Sequence, residues 1–132
     1  MAGATVTNNK ANFTTSGKYV NLCSGLFGSY TAVSVEAWVT TTGINGAYAR
    51  ILQFGAYIGS GLPANKNSIA VRRESSNVIT LIWFDIAGSE FACISSAPFD
   101  SQTSLHVVVT VSAGDYAKLY INGVLKGTTP AV

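Results

Sequence analysis

Apolar side chains recur at every second position along much of this chain. In Ser34-Val35-Glu36-Ala37-Trp38-Val39-Thr40, the residues Val35, Ala37 and Val39 share one face, and Glu36, Trp38 and Thr40 share the other. Leu105, Val107, Val109 and Val111 alternate with His106, Val108 and Thr110, and Leu119 and Ile121 alternate with Lys118, Tyr120 and Asn122. Side chains two apart lie on one face of a pleated strand, whereas a helix needs a period of 3.6. No segment of ten or more residues keeps a capped helical stripe, so the pattern predicts no substantial helix.

Further runs follow at close intervals over Lys18 to Cys23, Arg50 to Phe54, Ser68 to Arg73, Val78 to Asp85 and Glu90 to Ile94. Breakers such as Gly59-Ser60-Gly61-Leu62-Pro63 and Ala87-Gly88-Ser89 separate them. Short strands punctuated in this way predict an all-β, antiparallel two-sheet sandwich or jelly roll. Asn122-Gly123 between two apolar runs predicts a two-residue hairpin turn, because both residues tolerate positive φ. Composition agrees. Only 11% of the 132 residues are charged, under half of the usual share of about a quarter, and Thr, Ser, Asn and Gly are left to cover the outer faces. With no repeat and no linker, the chain reads as one domain over residues 1–132. The first twelve residues are polar, and only partial order is expected of them.

Several function classes are excluded at this level. The net charge is +2 and the basic residues are scattered, with Arg72-Arg73 the only close pair; nucleic-acid binding needs a basic stripe. These two arginines point to opposite faces of their strand, so at most one can join a site. The most apolar stretch, Val78 to Ile86, is about half the length of a spanning helix. The opening Met1-Ala2-Gly3-Ala4-Thr5 has no basic or apolar region of a signal peptide. Cys23 and Cys93 permit one disulfide or two small buried hydrophobes, and no C-x-x-C spacing supports a zinc or redox site.

The strands carry a resemblance. Ser34-Val35-Glu36-Ala37-Trp38-Val39 resembles the V-E-A-W-V strand of laminin G-like domains in the concanavalin A-like lectin/glucanase superfamily. Arg50-Ile51-Leu52-Gln53-Phe54-Gly55 is similar to the strand that follows it there, and His106-Val107-Val108-Val109-Thr110-Val111 to the strand near a Trp-His-His motif. Lys118-Leu119-Tyr120-Ile121-Asn122-Gly123-Val124-Leu125 resembles the next hairpin. Order and spacing agree over roughly Tyr19 to Gly127. The resemblance implies a jelly roll of two curved sheets and a binding or adhesion role. Ser104 and Leu105 stand where the family has Trp and the first His, and Asn8 to Asn21 contains no acid where the first strand commonly has one. The family's returning C-terminal strands are missing before Val132, so a domain truncated at that end is expected. Open strand edges then predict a homodimer or higher oligomer.

Catalysis finds little support. Retaining glycoside hydrolysis needs two carboxylates about 5 Å apart, and the related enzymes resemble one another in a Glu-x-Asp-x-x-Glu strand. Here Glu36, Glu74, Asp85, Glu90, Asp100 and Asp115 are dispersed. His106 is the only histidine and lies inside a strand, which suits a packed or surface residue better than a base or zinc ligand. No enzyme activity is expected.

No cofactor is expected either. Calcium is the alternative that the resemblance raises, at a rim of loops, where Asp85, Asp115, Asn65 and Asn67 would supply oxygens. With so few acids, solvated turn residues are the favoured reading. Trp83 is expected to serve core or inter-sheet packing; Trp38, on the face of Glu36 and Thr40, covers the back of a sheet or lines its concave side, with packing the favoured reading. The leading function is a non-catalytic binding module for a glycan or surface protein, with Tyr57, Asn65, Asn67, Asp115 and Tyr116 as the ligand-binding residues at one end of the sandwich. The second reading is a structural domain of a surface or phage appendage protein that assembles through its open edges. Either would be extracellular, cell-surface or virion-associated, as part of a longer protein.

Overall fold

The computed structural model describes residues 5–13, 19–22, 30–40, 49–55, 68–74, 78–85, 87, 89–94 and 104–131. The chain divides into two compact units, Met1–Tyr30 and Thr31–Val132.

In the first unit, β1 (Thr5–Thr7) and β2 (Lys10–Asn12) form an antiparallel hairpin. Asn8 and Asn9 turn it with φ of 52° and 59°. Both central residues of a tight hairpin turn need positive φ, and Asn is the non-glycine residue that accepts it most readily. The opening residues are therefore more regular than their polarity suggested. The strand expected over Lys18 to Cys23 is not seen in its described part, residues 19–22, where Tyr19 makes an isolated bridge.

The second unit holds two four-stranded antiparallel sheets. One runs in the order β10 (Val124–Ala131), β9 (Tyr116–Ile121), β8 (Leu105–Ser112), β3 (Ala32–Val39). The other runs β4 (Ala49–Phe54), β5 (Ser68–Arg73), β6 (Ile79–Phe84), β7 (Glu90–Ile94). No helix occurs among the described residues. Val71, Ile79 and Leu81 of the second sheet meet Leu105, Val107, Val109, Ala117, Leu119 and Ile121 of the first in one buried cluster. This is the two-layer, all-β, antiparallel sandwich that the alternation predicts.

Burial explains the two kinds of strand pattern. In β8 and β9 alternate residues are buried, so polar and apolar side chains alternate along the chain. In β6, Ile79, Thr80, Leu81 and Ile82 are all buried, and the sequence is a nearly unbroken apolar run, as expected of a strand covered on both faces. The Thr80 Oγ1 and Trp83 Nε1 atoms are buried there without a hydrogen-bond partner among the described residues. Trp83 packs parallel to Phe91 at 4.6 Å, in keeping with its expected packing role.

The predicted hairpin is present. Asn122 and Gly123 have φ of 51° and 77°, and Ile121 pairs with Val124 across them.

Candidate functional site

The register of β3 on β8 sets Trp38 opposite His106, Glu36 opposite Val108 and Ser34 opposite Thr110. Val35, Ala37 and Val39 take the core parity, so Glu36 and Trp38 are turned to the outer face, where β8 presents His106. Trp38, for which packing against a sheet face is expected, is 68% exposed there. Its ring lies parallel to that of His106, with centroids 4.4 Å apart and planes 18° apart. His106 Nε2 is 3.1 Å from Glu36 Oε2, a contact that is an ion pair when the imidazole is protonated. An aromatic ring, an imidazole and a carboxylate thus form one cluster across two strands.

The β9–β10 turn fixes the position of His106. Its backbone N–H donates to Asn122 Oδ1 at 2.9 Å, and the Asn122 N–H donates to the His106 carbonyl at 2.8 Å. Tyr120, two strands from Glu36 along one row, lies on the same outer face.

Of the predicted site residues, Tyr57, Asn65 and Asn67 lie outside the described residues, as does Cys23; Cys93 is placed in β7 opposite Leu81. Asp115 sits in the β8–β9 turn. Its Oδ1 accepts from the Tyr116 N–H at 2.7 Å, and its Oδ2 lies 3.5 Å from Lys118 Nζ. The first contact, and then the lysine charge, hold its carboxyl below the ordinary value. Tyr116 opens β9 and is 51% exposed, with the strand parity of Lys118 and Tyr120. Asp85 closes the β6–β7 turn, accepting the Ser89 N–H at 2.7 Å. Both acids offered for calcium thus bind backbone N–H groups of their own turns. Among the described residues, no three His, Cys, Asp or Glu side chains gather as a metal site.

Folding does bring two acids together that the linear sequence keeps apart. Arg72 Nε lies 2.6 Å from Glu74 Oε1, and its Nη2 lies 3.5 Å from Glu90 Oε1. A guanidinium shared by two carboxylates is an ion-pair network; a glycosidase pair must instead be open to a sugar from both sides.

Only half of the Glu36–Trp38–His106 cluster is legible in the sequence. Parity gave Glu36 and Trp38 a common face. His106 lies seventy positions from Glu36, and nothing local announces which strand becomes its neighbour. A family model described as the concanavalin A-like lectin/glucanases superfamily, of laminin G-like type, matches residues 14–132. The comparisons find no match among curated proteins or solved structures.

Proposed function

The chain belongs to the laminin G-like family of the concanavalin A-like lectin/glucanase superfamily, and from that premise we propose that it is a non-catalytic module that binds carbohydrate or a cell-surface ligand. The observation that carries this reading is the exposed indole of Trp38 on an open sheet face, braced by His106 beside the Glu36 carboxylate. A large aromatic ring left in water gives up the benefit of burial, about 1.5–3 kcal/mol, and a ligand that covers it recovers that free energy. Glycan-array binding of the intact chain tests the proposal. Selective retention of glycans or of a surface glycoprotein is the expected result, and an array with no bound glycan and no bound surface protein would refute it.

The structural reading also has an observation in its favour. β3 is an edge strand among the described residues, and its inward side chains Val33, Val35, Ala37 and Val39 are only half-buried, while Leu105, Val107 and Val109 beside them are buried. A second copy that pairs with this edge would complete their cover. Light scattering at micromolar concentration separates the readings. Ligand-independent oligomers favour assembly, and a monomer that binds ligand favours recognition.

A further inference from the structure

We infer that the ligand site is the outer face of the β3–β8 pair, where a neutral sugar ring lays its C–H face on the free side of Trp38 and donates hydroxyls to Glu36, with His106 as the positioning residue. This rests on the binding-module reading above and assigns that module its site.

Three observations converge. The imidazole of His106 covers one face of the Trp38 indole, and the residue is still 68% exposed, so the opposite face is open to a ligand. Glu36 shares the parity of Trp38 on β3, and its side chain is 60% exposed. Its Oε2 is engaged by His106, which leaves Oε1 able to accept hydroxyl protons. His106 in turn is gripped by the two hydrogen bonds to Asn122. Ring and acceptor are thus oriented before a ligand arrives, which lowers the ordering cost of binding.

The chemistry of the patch selects the ligand. A flat apolar ring beside a hydrogen-bond acceptor suits a molecule with an apolar face and a hydroxyl edge. A folded protein partner fits less well. A stable interface takes about 800 Å² from each side, whereas the apolar surface next to this ring on its own face is small: His106 stands opposite it, Glu36 and Val108 form the next row, and the polar Ser34 and Thr110 the row beyond. An organic cation is the competing ligand for a ring beside a carboxylate, but here the carboxylate already faces an imidazole that also occupies the ring's other side. Tyr120 lies in the row of Glu36 and Val108, two strands from Glu36, about 10 Å at the usual strand spacing, and extends the platform for a second sugar unit.

The test uses the full chain labelled with ¹⁵N, following the two indole N–H signals. Methyl α-mannoside, methyl β-glucoside, methyl β-galactoside and tetramethylammonium chloride are titrated in turn. At least one glycoside should move the Trp38 signal and leave that of Trp83 in place. Trp38→Ala should abolish binding of that glycoside with the fold intact. Glu36→Gln keeps an acceptor oxygen but removes its charge, and should weaken it by up to about tenfold, the scale of exchanging a charge-assisted hydrogen bond for a neutral one. His106→Phe keeps a ring under the indole but releases Glu36, and should weaken binding while the Trp38 signal still responds. The inference is overturned if tetramethylammonium alone moves the Trp38 signal, if no probe moves it, or if glycoside binding survives Trp38→Ala. Survival in that variant would leave the module a glycan binder with another site; an empty glycan array would end the wider reading.

Discussion

Asn122 and His106 hold each other through two hydrogen bonds, one from each backbone N–H, at 2.8 and 2.9 Å. The turn that joins β9 to β10 thereby fixes the middle strand β8 at the point where it presents its imidazole to Trp38. A residue chosen for its backbone conformation also orders the exposed cluster.

Replacing Asn122 separates those two duties. Asn122→Ala loses the side-chain acceptor and leaves at φ of 51° a residue that tolerates it less well than Asn, which together should cost about 1–3 kcal/mol. Asn122→Gly keeps the conformation and loses only the acceptor, so its cost in urea denaturation should be smaller. Equal costs would show that positive φ contributes nothing at this turn.

The Glu36–His106 contact should matter little for stability. Both side chains are substantially exposed, and such pairs contribute under about 1 kcal/mol. Glu36→Gln should leave the denaturation midpoint nearly unchanged. A large loss would mean that the cluster serves the fold and not a ligand.

The core behaves differently. Leu81 and Leu119 are fully buried in the seam between the sheets. Truncating either to Ala should cost about 2–5 kcal/mol, through lost transfer free energy and an incompletely collapsed cavity. Urea titration would register a lower midpoint, and a change within error would contradict the sandwich seam.

Thr80→Val should stabilise the protein. The Thr80 hydroxyl is buried with no partner among the described residues, and an unsatisfied buried hydroxyl costs about 1–3 kcal/mol. Valine has nearly the same shape, so the melting temperature should rise. A fall would show that the hydroxyl is satisfied in solution.

Asp115 should leave a small mark on the acid limb of stability. Its carboxyl lies below the ordinary aspartate value in the folded chain, mainly through the Tyr116 N–H and then Lys118. A depressed folded value means that the stabilisation is complete above the unfolded value and is lost as pH falls through the folded one. Wild type and Asp115→Asn should therefore differ at neutral pH, and the difference should shrink below the ordinary aspartate value and vanish below the lower folded one. Added salt should narrow the neutral-pH difference as well. A gap that persists in acid would assign the effect to hydrogen bonding and not to charge.

The sequence by itself determined the strand alternation of β3, β8 and β9, the Asn122-Gly123 turn and the family resemblance. Each is written in neighbouring residues: a side chain's face follows from its parity, and a turn's handedness from residues that tolerate positive φ. Asn8-Asn9 carries the same local signal, although the polarity around it pointed to only partial order. Which strands become neighbours is a different kind of fact. Only the tertiary structure decided that His106 stands beside Trp38 and Glu36, that Arg72 gathers Glu74 and Glu90, and that β6 is buried on both faces. Those contacts depend on burial summed over two whole sheets, which no short stretch of chain encodes.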